Sequence, residues 1–160
     1  WDGLLELGGA AGLKPAGLGA RDSLRFEACL PLYGHEIADD INPYEAKLGW
    51  AVKLDKGGDF LGRDALVQIK ANGAARKLAG FELIDRGIAR GGYEIRDASG
   101  ARIGEVSTGM PAPSLGKNLG LGLLPAALAT EGSEINVIVR DRPVRARVVK
   151  TPFYKPRYKK

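Results

Sequence analysis

One cysteine, Cys29, one histidine, His35, and one methionine, Met110, are all that the 160 residues hold of those types. A lone cysteine excludes an internal disulfide and a paired-cysteine metal site with it. A lone histidine with no second histidine to join it makes no metal site either, so no metal is expected. No apolar run approaches the ~20 residues that a membrane-crossing helix needs, so no membrane partner is expected. No internal repeat is visible. Poverty in cysteine is compatible with a cytoplasmic setting.

What is present describes a globular chain. Apolar residues make up 44% and charged residues 27%, and a compact unit of this length buries a real core. The length suits one domain or parts of two. Net charge is +5, and the excess is local: residues 131–160 hold nine Lys or Arg against three acids. A basic end of this kind meets nucleic acid, an acidic protein or an anionic small molecule, or else is a solvated strand face.

The sequence begins inside a helical pattern. Trp1, Leu4 and Leu5 fall at helical spacing before Gly8-Gly9. A helix entered mid-pattern predicts that this is the C-terminal portion of a longer protein. Asn42-Pro43 is a turn signal and a candidate boundary. Trp50, Val52 and Leu54 alternate as on one side of a strand, with Lys56–Asp59 as the turn that follows. Leu61 to Ala71 reads as a helix, stopped by Asn72-Gly73. Beyond Arg76 come short strands: Leu78–Ile84, Tyr93–Arg96, Arg102–Ser107 and Leu119–Leu124, with a Pro-rich loop at Met110–Ser114. Ile135, Val137 and Val139, then Val144, Ala146 and Val148, form a hairpin across Asp141-Arg142-Pro143. Five or six such strands predict a small antiparallel barrel.

The segment Gly17–Glu36, GLGARDSLRFEACLPLYGHE, carries more information than any other. Its order closely resembles the signature of the glycine cleavage system T protein, the folate-dependent aminomethyltransferase. Similar matches follow in the family's order: Pro43-Tyr-Glu45-Ala-Lys-Leu48-Gly49-Trp50, Phe60-Leu-Gly62-Arg63-Asp-Ala65-Leu66, Gly87-Ile-Ala-Arg90 with Gly92-Tyr93, Ser107-Thr-Gly109 with Pro113–Asn118, and Lys150-Thr-Pro152-Phe153-Tyr154. The resemblance implies an α+β fold with three parts. Residues 1–42 end an α/β folate-binding domain, 43–73 form a short strand-helix segment of a second domain, and 74–160 form a small antiparallel β-barrel. It also implies a one-carbon transfer from the aminomethyl-dihydrolipoyl arm of the H protein to tetrahydrofolate, with release of ammonia. Tetrahydrofolate and the lipoyl-carrying H protein are the expected cofactor and partner; nucleic acid is not. The family's catalytic acid, an Asp, has no counterpart here, so no catalytic residue is assigned.

Four residues are candidates for folate binding. Glu27 matches the glutamate that the resemblance places at the pterin, where a carboxylate accepts paired N–H donors. The competing reading is an ion pair with Arg21 or Arg25. Tyr158 occupies the position of a folate-contacting tyrosine near the family's C-terminus, with Tyr154 as the alternative in register and a solvated tail as the competing reading. Arg21 suits the glutamate-tail carboxylate of folate, or holds Asp22 or Glu27 in place. Trp50 offers an aromatic plane to a pteridine, or packs in the core of its strand. His35 reads as a turn residue, and the Ser107–Asn118 loop as a barrel turn rather than an anion cradle.

Two rival readings compete with this resemblance. Other folate-domain relatives depart from the Leu32-Tyr33-Gly34 pattern or carry a Lys-Gly-Cys-Tyr-x-Gly-Gln-Glu run that is absent here. A basic barrel binding nucleic acid would use Arg145 and Arg147 on one strand face, with Tyr154 and Tyr158 among the terminal cations.

Overall fold

The computed structural model describes residues 1–155, so the candidate Tyr158 lies outside the described residues. Helix α1 spans Asp2–Gly9, α2 Leu18–Glu27 and α3 Arg63–Asn72. Six strands follow: β1 Arg76–Leu83, β2 Glu94–Arg96, β3 Arg102–Ala112, β4 Lys117–Pro125, β5 Glu134–Val139 and β6 Arg142–Val149. They close into an antiparallel barrel in the order β1-β4-β3-β2-β5-β6, with β6 returning to β1. The expected α+β class with a small barrel is therefore observed. No helix among the described residues is long and apolar enough to cross a membrane.

Period-two alternation builds the barrel interior. Ala79, Phe81 and Leu83 of β1 meet Val144, Ala146 and Val148 of β6, with Ile95, Val106, Leu124, Ile135 and Val137 completing one cluster. Strand β4 is apolar on both faces. Leu119 and Leu121 belong to a second cluster outside the barrel, with Leu78, Ala112 and Phe26 of α2. Gly120 and Gly122 face inward between them. A Cβ at Gly120 would overlap the Phe81 ring, and one at Gly122 would come 2.8 Å from Ile95 Cδ1. The inner face of β4 thus gives up side chains so that its neighbours can fill the barrel. The outer face keeps leucines because α2 covers it. Phe26 is fully buried there, its ring 5.4 Å from that of Phe153; burial of such a side chain is worth roughly 1.5–3 kcal/mol.

Three expectations of detail need correction. Residues 48–54 are not a strand but a 3-10 turn, Gly49–Ala51, followed by turns. Asn42 Oδ1 accepts from the N–H groups of Tyr44 and Glu45, and Pro43 O accepts from Leu48 N at 2.7 Å. Ala51 N and Val52 N likewise donate locally, to Leu48 O and Gly49 O, and no strand among the described residues pairs with residues 48–54. Trp50 is consequently 74% exposed rather than core. The Pro-rich loop is shorter than expected, because β3 runs on to Ala112 and Pro111 pairs with Asn118. The β5–β6 connection is Arg140-Asp141, both with positive φ (50° and 61°), as a two-residue hairpin turn requires.

The segment after Asn42 is clasped to the barrel. Glu45 Oε1 accepts from Arg76 Nε at 2.9 Å, and Leu78 N donates to Glu45 O at 2.8 Å. Burial works against the charged form of Glu45. The Arg76 and Asn42 hydrogen bonds and the Arg76 charge outweigh it, holding the carboxyl below its ordinary range.

Two outcomes are expected. Gly120→Ala costs about 1–3 kcal/mol of unfolding free energy by overpacking against Phe81, read from urea denaturation; a second substitution, Phe81→Leu, recovers part of it. For Glu45, a folded pKa below the unfolded one means its stabilisation is complete above the ordinary carboxylate range and is lost as pH falls through the lowered value. The urea midpoints of wild type and Glu45→Gln should therefore differ most at neutral pH and converge in acid. A pH-independent difference would contradict this.

Candidate functional site

Helix α2 is the element around which the candidate residues gather. Its last turn turns Arg25, Phe26 and Glu27 into the protein, and all three are buried. Arg25 lends its cation to the C-terminal end of the helix dipole. Its Nε donates to Asp22 Oδ1 at 2.8 Å, Nη1 to Glu36 Oε2 at 2.8 Å and Nη2 to Thr108 Oγ1 at 3.2 Å. Glu36 is fully buried and accepts from four donors. Besides Arg25 these are Leu32 N (3.1 Å), Ser107 Oγ (2.7 Å) and Thr108 Oγ1 (2.6 Å). The turn Leu32–Ile37 and strand β3 are thereby locked to α2. Sequence reasoning missed this network. Glu36 accepts across 11, 71 and 72 residues, and no local spacing announces such partners.

Glu27 faces the barrel as well, but pairs with neither arginine. Its Oε1 accepts from Ser114 N at 2.9 Å, in the β3–β4 turn, and its backbone carbonyl accepts from Tyr154 N at 2.8 Å. Its other oxygen, Oε2, has no partner among the described residues. Arg21, a turn before Arg25, is exposed to solvent, with no ion pair among the described residues. It does not hold Asp22, which belongs to Arg25, nor Glu27. The Ser107–Asn118 stretch is a hairpin, as expected of a barrel turn. His35 is exposed, with Nδ1 3.0 Å from Ser107 O, which the Nδ1-protonated ring donates to.

Trp50 lies at the edge of an apolar cavity of about 360 Å³ that also involves Cys29, Leu30, Lys47, Leu121 and Pro152. Burial pushes the Cys29 thiol up to about 11, against the smaller downward pull of the Phe153 backbone and Lys47. Cys29 is therefore a packed thiol and not a nucleophile at neutral pH. Lys47 is shifted downward, chiefly by burial. The structure thus joins Glu27 to Tyr154, sets Trp50 near the residues that follow α2, and leaves Arg21 facing outward. No cluster of three potential metal ligands occurs among the described residues.

The basic strand face is largely neutralised. Arg145 forms a two-pronged pair with Asp85, both contacts at 2.9 Å, and Arg147 reaches Glu134 at 3.3 Å. A row of cations committed to acids is a poor track for nucleic acid.

A closed six-stranded barrel, buttressed on its outer face by the helix of a Gly-Leu-Gly-Ala-Arg-Asp-Ser segment, defines a two-part class of protein. Its models match in order: the GCVT N-terminal domain over residues 1–56, and the glycine cleavage T-protein C-terminal barrel domain over residues 76–155. The chain belongs to the glycine cleavage T-protein family. It is 61% identical over its whole length to an aminomethyltransferase of Herpetosiphon aurantiacus, and 57% identical over 97% of its length to one of Symbiobacterium thermophilum. It spans 43% and 41% of those proteins. The crystal structure of the glycine cleavage system aminomethyltransferase T from Bartonella henselae superposes with a TM-score of 0.91 at 35% identity, over 99% of this chain and 45% of that one.

Glu36→Gln should destabilise the fold by about 3 kcal/mol or more, because an amide carries no charge to offset the buried Arg25 cation and leaves it with the half-exposed Asp22 as its one acidic partner among the described residues. Urea unfolding measures it. A loss under about 1 kcal/mol, the scale of a surface pair, would show that the network contributes little.

Proposed function

We propose that this chain serves a tetrahydrofolate-dependent aminomethyltransferase of the glycine cleavage system. The observation that carries the reading is the match of both family domains, in order, along one chain. The reaction proposed moves a one-carbon unit from the aminomethyl-dihydrolipoyl arm of the H protein to tetrahydrofolate and releases ammonia. In this reading residues 1–42 close the folate-binding domain, 43–73 belong to a second domain and 74–160 are the barrel. The setting proposed is the cytoplasm, or the mitochondrion of a eukaryote.

The residues present fit the ligand. Arg21 offers a solvent-facing guanidinium, uncommitted among the described residues, to the carboxylate of the folate glutamate. Glu27 keeps one oxygen in place through Ser114 N and has the other for a pterin N–H. Trp50, exposed, offers a stacking face. Tyr158, or Tyr154 in the neighbouring register, is proposed as a further contact. When bound, tetrahydrofolate supplies the nitrogens that accept the one-carbon unit. The residues of this chain bind and orient; none is proposed to transfer the proton.

Titration of tetrahydrofolate into wild type, Arg21→Ala and Glu27→Gln tests the assignment. Each variant should lose about tenfold or more in affinity, the scale of one charge-assisted hydrogen bond. The glutamine retains an acceptor for Ser114 N, so the helix stays docked. Unchanged affinity in both variants would remove α2 from the folate site.

A further inference from the structure

Several cations of the barrel are paired with acids. Arg96, Arg102, Lys117, Arg145 and Arg147 each reach a carboxylate within 4 Å. Four arginines do not: Arg86, Arg90, Arg140 and Arg142 make no ion pair among the described residues, and residues 156–160 contain no Asp or Glu. All four line one cleft of about 750 Å³ at one end of the barrel. They come from two places in the chain. Arg86 and Arg90 lie between β1 and β2, Arg140 on the β5–β6 turn and Arg142 at the start of β6.

No acid lines this cleft. Asp85, next to Arg86, is held by Arg145. Asp141, between the other two, lines a different depression with Arg96 and Asn136. The walls otherwise mix Ile88, Val139 and Val144 with Tyr93 and Asn118.

The cleft is built on rigid ground. Ala89 is buried, and its backbone lies flush on Gly109, where a Cβ would come 2.7 Å from the Ala89 carbonyl carbon. Gly87 rests against Val144, whose methyls lie 3.3 and 3.4 Å from the position of an added Cβ. The loop that presents Arg86 and Arg90 is therefore seated on the barrel, and the tight hairpin fixes the base of the other pair.

Four guanidiniums gathered on one concavity repel one another unless an anion offsets them. Each presents a planar fork that matches carboxylate or phosphate oxygens. A cleft of several hundred Å³ is the size of a small-ligand site, whereas a protein partner would meet a broader, flatter face. We propose that this end of the barrel binds a small polyanion carrying two or more phosphate or carboxylate groups. The site stands apart from the folate contacts proposed on α2 and does not depend on them.

Calorimetric titration with inorganic tripolyphosphate and, separately, with citrate tests the proposal and distinguishes phosphate from carboxylate sources. At least one should bind more tightly than about 1 mM, with affinity falling as salt rises. Arg86→Ala/Arg142→Ala should weaken that binding about tenfold or more, whereas Arg102→Ala/Arg147→Ala, which removes the same number of charges outside the cleft, should change it less than about twofold. Binding of only one probe would support the proposal and name its chemistry. Binding of neither, or an equal loss in Arg102→Ala/Arg147→Ala, would overturn it. Tetrahydrofolate affinity should be unchanged in Arg86→Ala/Arg142→Ala; its loss would overturn the separation of the two sites. Failure of tetrahydrofolate to bind wild type would count against the proposed function while leaving the polyanion result standing.

Discussion

The structure turns on one carboxylate. Glu36 has no exposure to solvent and survives there because a guanidinium, two hydroxyls and a backbone N–H surround it. A buried charge with fewer partners would be driven to neutralise or to open the fold. Because its donors come from α2, from the turn after α2 and from β3, their relative positions are set together. The orientation of α2 follows, and with it the division of labour along that helix. Arg21 is left in water, while Glu27 is turned toward the barrel and held by Ser114.

A second constraint complements it. The barrel is too small to take a full set of side chains from every strand, and β4 resolves this by alternating glycine inside with leucine outside. The outer leucines then need cover, which Phe26 and Phe153 provide. Apolar packing holds α2 to one part of the barrel, and the Glu36 network specifies where on that surface it sits. Packing of oily faces alone tolerates sliding; directional hydrogen bonds do not.

Much of the barrel was legible in the sequence because its strands carry the period that one buried and one solvated face imposes. Val144, Ala146 and Val148 show it cleanly, and the hairpin they form with Ile135–Val139 follows. The same rule misled at Trp50, Val52 and Leu54. Alternation states which side chains share a side, not whether a neighbouring strand exists to pair with, and Asn42 had already turned that backbone on itself. The candidate site was legible only through the order of residues in Gly17–Glu36. That order pointed to Arg21 and Glu27, while the exposure of one and the burial of the other are properties of the packed helix. Glu36 was within the recognised segment yet its role was invisible, because its partners Ser107 and Thr108 are distant in the chain. The four uncommitted arginines were hidden for a related reason. A count of charges cannot separate Arg145, which Asp85 answers, from Arg142, which no acid among the described residues answers.

The coverage of the outer sheet by α2 bears on what counts as a module. By topology the barrel is self-contained: its strands close, and no edge is left open. By surface chemistry it is not. Stripped of the residues before β1, it would present Leu78, Leu119 and Leu121 as one oily stripe on an otherwise polar cylinder. Such a stripe would find another copy of itself, or any apolar surface at hand. The line where the hydrogen-bonded sheet begins and the line where an autonomous, soluble folding unit begins are therefore different places in this chain, and the second lies upstream, at the start of α2.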